Sequence, residues 1–452
     1  SGITECLSKG QQIHEEIVSR GILRRSILLG TTLVGMYAKC CELTKAFQVL
    51  EDLPIRNVFS WNALIGGYGE VEQGHKALDC FQCMQGEGIS PDAVTFTCIL
   101  NVCSSIGAIG IGEEIHKEIS SRDLLRKDLV LRNALVDMYV KCDMLSKAQK
   151  VHDEHFTKNV VTWNALIAGY ARQEQGHKAL NCFQQMRAKG ISPDVITYTC
   201  ILKACGSIGA IGKGMQIHEE ILSRKMLDND IVLGNSLIDM YAKCGVLAKA
   251  RQILEELPMR NTISWSALIS GYAQHGQVYE ALKCFDYMQG EGLYPDAIMF
   301  LSVLNACSHS GLLDEAEMCI RNMNGKYGLI PNVEHHTCLV SLFGCAGHLD
   351  EAISVIKGMP SFTYAPIWLS LLCACRKWGS VKLGRLTFDQ AILVDNTCSA
   401  AYVLMAAIYM AAGMIEDAEK IKAMERKSIE GRNSYTFEAS GLLKRKNMEV
   451  SA

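Results

Sequence analysis

The chain has 452 residues, 49% of them hydrophobic and 21% charged, and its 45 basic and 48 acidic side chains leave a net charge of −3. That balance excludes a disordered tail protein and a histone-like polycation, and the length alone suggests roughly three domains. Only 8 prolines are present, which suits a mostly helical chain because a proline inside a helix costs about 3 kcal/mol. The 20 cysteines would suggest a disulfide framework in a small secreted protein, but a chain this long folds without such staples, and its thiols are expected to be reduced. No targeting signal is legible at Ser1, where no methionine stands, so the chain reads as an excised region. The uncharged stretch from Ala400 to Ile415 is shorter than the ~20 residues a membrane span needs and contains Gly413. The chain is read as soluble, with no membrane partner.

Internal repetition dominates the sequence. Trp61, Trp163 and Trp265 recur every 102 residues, as do His14, His116 and His218, and Tyr37, Tyr139 and Tyr241. Asp92, Asp194 and Asp296 keep the same interval, each after a proline (Pro91, Pro193, Pro295). Eleven of the twenty cysteines obey it, Cys80, Cys182 and Cys284 among them.

Within one period, residues 58–92 show the unit. Trp61, Leu64, Ile65 and Tyr68 form one apolar helical stripe. A polar turn is expected at Glu72-Gln73-Gly74, followed by a second stripe, Ala77, Phe81 and Met84, closed by Gly88 as a helix C′ residue. Asp92 is placed to cap the next helix. This is a 35-residue helical hairpin; the next two units have 36 and 31 residues, and the cycle restarts at Val160. One such hairpin cannot bury its apolar face alone, but stacked hairpins share a core. The expected fold is all-α, a right-handed α-solenoid of helix-turn-helix repeats, with most cysteines packed between helices.

The alternation of 35-, 36- and 31-residue units resembles the pentatricopeptide repeat (PPR) proteins of the PLS class, which are found chiefly in plant organelles. The strings that carry the resemblance are VVTWNALIAGYARQEQGHKALNCFQQMRAKGISPD at 160–194, IVLGNSLIDMYAKCGVLAKARQILEELPMRN at 231–261 and ILKACGSIGAIGKGMQIHEEI at 201–221. VEHHTCLVSLFGCAGHLDEAISVIKGMP at 333–360 resembles the last short motif, and 367–384 and 400–421 resemble the two E motifs that follow it. The resemblance implies a partial L repeat at 1–26, then S, P and L repeats at 27–57, 58–92 and 93–128. The same series continues at 129–159, 160–194 and 195–230, at 231–261, 262–296 and 297–332, and ends on an S repeat at 333–364. E-like motifs at 365–432 and a tail at 433–452 complete the division.

What the resemblance implies for function is sequence-specific binding of single-stranded RNA, about one base per motif. In the family, the fifth and last residues of a motif read the base and the second wedges against it. The implied pairs are Thr31/Asn57 for adenine, Asn62/Asp92 and Asn164/Asp194 for uracil, and Ser266/Asp296 for guanine. Asn133/Asn159 and Asn235/Asn261 are implied for a pyrimidine, and Thr97/Asp128 and Thr199/Asp230 lean to guanine. The wedges would be Leu28, Phe59, Val130, Val161, Val232 and Ile263. The expected target is A-U-G-Y-U-G-Y-G. Plainer roles compete: helix capping for the aspartates, first-turn polarity for the asparagines, core packing for the wedges. Against them, the fifth position is polar in every P and S motif of this set while its neighbours are apolar. The reading requires Asn62, Asn164 and Asn235 to be within reach of a ligand.

Phosphate contacts would need a local basic stripe, for which Lys9, Lys117, Lys127, Lys147, Lys203, Lys213 and Lys249 are candidates beside a plain solvated-face role. Many proteins of this class act in organellar C-to-U editing, some through a terminal zinc deaminase with H-x-E and C-x-x-C elements. His14-Glu15-Glu16, His116-Lys117-Glu118 and His218-Glu219-Glu220 spell H-x-E, and Cys80 with Cys83 spells C-x-x-C. All lie inside second helices and are read as packing. His335-His336 and Cys373-Ala374-Cys375 lack further ligands at suitable spacing. Ser434-Tyr435-Thr436-Phe437-Glu438 only faintly resembles the segment that precedes a deaminase, and Lys444-Arg445-Lys446 reads as a basic tail. No catalytic residue, metal site or cofactor is therefore expected. The partners implied are organellar RNA, in mitochondrion or chloroplast, and a deaminase-domain protein or other editing factor acting in trans. An RNA stability, processing or splicing factor and a protein-binding scaffold are the alternatives.

Overall fold

The structure is a computed structural model that describes residues 2–24, 26–154, 159–227, 230–359, 364–426 and 428; among these there is no strand. The chain divides into two compact units, Ser1–Met226 and Leu227–Ala452. Each is a series of helical hairpins in which a first helix packs on its own second helix and on the first helix of the next hairpin.

The hairpin at 58–92 shows why the sequence folds this way. Asn57 caps helix Val58–Glu70 by accepting from the Ser60 amide, and the Ser60 hydroxyl answers in a capping box, a feature worth about 1 kcal/mol. Trp61, Leu64, Ile65 and Tyr68 are buried on this helix, and Ala77, Phe81 and Met84 on Gly74–Gly86. The second helix ends in a Schellman turn. Gly88, at φ +75°, donates to the Gln85 carbonyl, and Ile89 donates to Met84. The same turn recurs at Gly190 and Gly292.

The turn between the two helices differs from the expectation. Its left-handed residue is Glu72 (φ +58°), while Gly74 is already helical and buried. Gly74 is needed for proximity: a Cβ there would lie 2.5 Å from Ile106 Cγ2.

The 31-residue units are short because their second helices are short. Leu43–Asp52 and Leu247–Glu256 have 10 residues, against 13 in Gly74–Gly86 and Ile109–Ser121. Each stops at a leucine before proline, Leu53-Pro54 and Leu257-Pro258, and the residue before proline is pushed out of the helical region. Both leucines are extended, at ψ 130° and 132°.

In the second unit, the apolar stretch near the C-terminus is helix Ser399–Ala411, which buries Ala401, Tyr402, Met405, Ala406, Ile408 and Tyr409 and stops before Gly413. No helix among the described residues is long and apolar enough to cross a membrane. Residues 434–438 and 444–446 lie outside the described residues.

Candidate nucleic-acid interface

The second residue of each first helix stands free at the helix start. Leu28 is 73% exposed and Phe59 66%, and Val130, Val161, Val232 and Ile263 are exposed as well. Core packing is therefore not their role. Successive first helices lie against one another within each unit, so equivalent positions line up: Leu28, Phe59, Val130 and Val161 in the first, Val232 and Ile263 in the second. The sequence reading omitted Val94, Ile196 and Ile298, which occupy the same place in the 36-residue units and are equally exposed. The repeat register itself was the signal that could have found them.

The fifth and last residues meet directly in three units. Asn62 Nδ2 donates to Asp92 Oδ1 at 3.0 Å, and Asn164 Nδ2 to Asp194 Oδ1 and Oδ2 at 2.9 and 3.1 Å. Asn235 Nδ2 donates to Asn261 Oδ1 at 3.3 Å. The reading needs these asparagines within reach of a ligand, and the structure leaves them mostly covered. Asn62, Asn164 and Asn235 are only 9%, 7% and 8% exposed. Their polarity thus has a structural account of its own: a buried amide survives between helices because the next helix cap satisfies it. The regular recurrence of a polar fifth residue does not by itself argue for a ligand. Each amide nonetheless keeps capacity, since Nδ2 carries two N–H bonds and Oδ1 two lone pairs, and the cap network uses only part of them.

The last residues all cap the following first helix. Asp92, Asp128, Asp194, Asp230 and Asp296 each accept from the amide three residues on, and so do Asn57, Asn159 and Asn261. Burial pushes the Asp92 and Asp194 carboxyls up, but the backbone amides of Thr95 and Thr197, the paired asparagines and the threonine hydroxyls outweigh it. Both carboxyls are held below their ordinary value.

The remaining fifth residues differ. Thr31 and Thr97 turn their hydroxyls back to the Ile27 and Ala93 carbonyls, at 3.0 and 2.8 Å. Asn133 Oδ1 and Thr199 Oγ1 are buried with no protein partner. Thr199 and Ser266 are half-exposed, and Asp296 is exposed.

Most basic candidates point elsewhere. Lys9, Lys117, Lys147, Lys213 and Lys249 sit on second helices; Lys147 pairs with Glu113, while Lys213 and Lys249 bond Gln216 and Gln252. Lys203 is on a first helix, as are Lys39, Lys141, Arg172 and Lys243 in last turns, where cations are favoured.

The H-x-E histidines are engaged in packing. His14 Nδ1 meets the Tyr37 hydroxyl at 3.0 Å and His116 Nδ1 the Tyr139 hydroxyl at 2.8 Å. Cys80 is buried, and burial pushes its thiol up to about 12, whereas Cys83 is exposed. His335 is buried with Nε2 on the Ala297 carbonyl at 2.9 Å. Among the described residues no three His, Cys, Asp or Glu side chains are grouped to hold a metal.

Stacked hairpins with capped, register-matched helix starts define an α-helical repeat protein. The PPR repeat family matches at 56–105, 158–207 and 260–309, and single PPR repeats at 130–154, 196–226, 235–261, 298–326 and 334–363. A mitochondrial pentatricopeptide repeat-containing protein of Arabidopsis thaliana is 34% identical over 410 residues, 91% of this chain and 73% of that one. Another from the same plant is 35% identical over 427 residues, covering 94% and 75%. The chain belongs to the pentatricopeptide repeat family. It spans less of other relatives, for example 48% of a further mitochondrial Arabidopsis thaliana protein. Among solved structures, the pentatricopeptide repeat protein PPR10 from maize shares the fold, with TM-score 0.63 and 20% identity over 94% of this chain and 67% of that one. PPR10 in complex with an 18-nt psaJ RNA element gives TM-score 0.69 at 20% identity, covering 90% and 61%.

Proposed function

We propose that the chain is a sequence-specific single-stranded RNA-binding protein of plant organelles, acting as a specificity factor in C-to-U editing. Family membership supports the RNA-binding reading, and the solved PPR10 complex with RNA shows what a protein of this fold can hold. The observation that carries it is the set of exposed apolar residues at second positions of successive first helices within each unit, each beside a cap and its fifth residue. An apolar side chain in water at the start of nine first helices, from Leu28 to Ile298, is unfavourable for folding alone; against a base it gains a stacking partner.

The pairs then read the base edge at the helix starts. Asn164 offers its unused amide capacity and Asp194 an acceptor-only carboxylate; together they suit the mixed donor and acceptor edge of uracil. The PLS repeat division, the E-like motifs at 365–432 and the base assignments belong to this proposal. So does a deaminase-domain protein or other editing factor acting in trans. The mitochondrial relatives favour that organelle.

Fluorescence anisotropy with AUGUUGUG RNA and a scrambled octamer tests the reading. Tighter binding to the first, lost in Asn164→Ala with Asp194→Ala, supports it. Equal affinities remove the sequence-specific reading. RNA affinity left intact by the double change returns the fold to a protein-binding scaffold.

A further inference from the structure

The third residue of the following first helix is absent from the two-residue reading, yet in three units it completes the network. Thr95 Oγ1 donates to Asn62 Oδ1 at 2.6 Å, Thr197 Oγ1 to Asn164 Oδ1 at 2.6 Å, and Ser264 Oγ to Asn235 Oδ1 at 2.6 Å. A hydroxyl has one proton, and in all three units a second acceptor stands nearby, Asp92, Asp194 or Asn261 Oδ1 at 2.9, 2.8 and 2.9 Å. Those carboxylate oxygens already accept from a backbone amide and from the asparagine Nδ2. The amide oxygen has no other donor here and is closer, so it takes the proton. The carboxylate can only accept and therefore faces Nδ2. The hydroxyl fixes the other end, and the amide is held in one of its two flip states.

The sequence varies in step with this geometry. Every asparagine at a fifth position in the set is followed by a hydroxyl: Asn62 by Thr95, Asn133 by Thr162, Asn164 by Thr197, Asn235 by Ser264. Where the fifth residue is Thr97, Thr199 or Ser266, the third residue of the next unit is Leu131, Leu233 or Met299. Thr31, followed by Ser60, departs from the pairing, and that hydroxyl turns to the Asn57 carbonyl at 2.8 Å.

We infer that the third residue of the next repeat is a positioning residue for base recognition: its hydroxyl locks the orientation of the asparagine amide that reads the base. The inference rests on the RNA-binding reading and goes beyond it by adding a third residue to each reading pair. The lock matters because an amide free to flip exchanges its donor and acceptor edges, and so presents the pattern of uracil and of its competitor in turn. Asn133 is the natural contrast. The Thr162 hydroxyl turns to the Asn159 carbonyl at 3.0 Å, and Asn133 Oδ1 has no protein partner. Its unit should discriminate less sharply than those of Asn62 and Asn164.

The test uses the whole chain and four octamers that differ from AUGUUGUG only at the fifth nucleotide, with a second set varied at the second nucleotide. The wild-type protein is expected to favour uracil at both by about tenfold, equivalent to ~1.4 kcal/mol. Thr197→Val should flatten the preference at the fifth nucleotide to below about threefold and leave the second intact, and Thr197→Ser should restore it. In a gain experiment, Ser266→Asn with Met299→Thr should prefer a pyrimidine at the eighth nucleotide more sharply than Ser266→Asn alone. Full discrimination in Thr197→Val overturns the inference, and so does equal loss at both nucleotides, which would mark a merely structural residue. A wild-type protein without preference at any nucleotide overturns the RNA reading itself, and this inference with it.

Discussion

The tight contact between a buried amide and a carboxylate at Asn164 and Asp194 gives a sharp test in the change Asn164→Asp. The new carboxylate would sit about 3 Å from the Asp194 oxygens, at the distances the amide now holds. Two charges there repel by roughly 5–6 kcal/mol at an effective dielectric constant of ~20. Protonating one acid is the cheaper escape. From an ordinary carboxyl value near ~3.9, that costs about 4 kcal/mol at pH 7, and the proton then restores a hydrogen bond between the two groups. The variant should therefore lose about 4 kcal/mol at pH 7 and about 1.5 kcal/mol at pH 5. Its pH trend opposes that of the wild type. Asp194 has a lowered folded pKa, so its contribution is present at neutral pH and fades as pH falls through that value. The shared proton in Asn164→Asp is bound more tightly folded than unfolded, so stability rises as pH falls from 7 to 5. Repeat proteins open locally, so hydrogen exchange across residues 160–207 is the assay, read at pH 5 and pH 7 after correction for intrinsic rates. Wild-type protection at pH 7, or a variant whose pH trend parallels the wild type, would refute the contact and the network built on it.

Other outcomes follow from the same geometry. Gly176→Ala should destabilise by about 1–3 kcal/mol in urea unfolding despite alanine's helix propensity, because its Cβ would stand 2.6 Å from Ile208 Cγ2 and 2.8 Å from the Ala204 carbonyl. Gly110→Ala, with open space around the added carbon, should instead stabilise by up to about 1 kcal/mol. Iodoacetamide followed by mass spectrometry should label exposed Cys41, Cys83, Cys345 and Cys373 in the native protein. Buried Cys80 and Cys103, both pushed up to about 12 by burial, should react only after unfolding. Phe59→Ala should leave thermal stability within about 0.5 kcal/mol, since the ring is solvent-exposed, yet weaken RNA binding by roughly 1–3 kcal/mol, the usual worth of a base–aromatic stack.

Helix positions, caps and core stripes were legible because they depend on local chemistry repeated in register. Asp92 before Thr95, and Gly88 after Met84, each specify a helix end without reference to distant residues. The burial of Asn62 was not legible, because periodicity assigns polar residues to the outside and cannot see a cap 30 residues away closing over an amide. Gly74 was assigned to the Glu72 turn, not to the helix, for a related reason. A glycine signals either a left-handed turn or a close approach, and only the position of Ile106 decides between them at Gly74.

The departures from register show that contacts, rather than residue types, are what repeat. Gly30 and Gly234 exist because Leu53 and Leu257 press on them; a Cβ would meet the leucine Cδ2 at 2.2 and 2.6 Å. In the middle period the same place holds Arg132, whose buried guanidinium donates to the Leu125 carbonyl at 3.1 and 2.7 Å, and the sequence has no Leu-Pro after the second helix of that repeat. Trp61 and Trp265 donate to Glu87 and Glu291, each paired with Arg56 or Arg260. In the middle period Lys189 replaces the glutamate and lies 5.3 Å over the Trp163 ring instead. Gly74 and Gly176 face Ile106 and Ile208, whereas the third period carries Val278 and Ser310, the large and small residues having changed places. Compensation of this kind keeps each first helix starting in the same place. That is the condition under which second, third and fifth residues can present a regular row, one unit after another, whatever the packing beneath them has become.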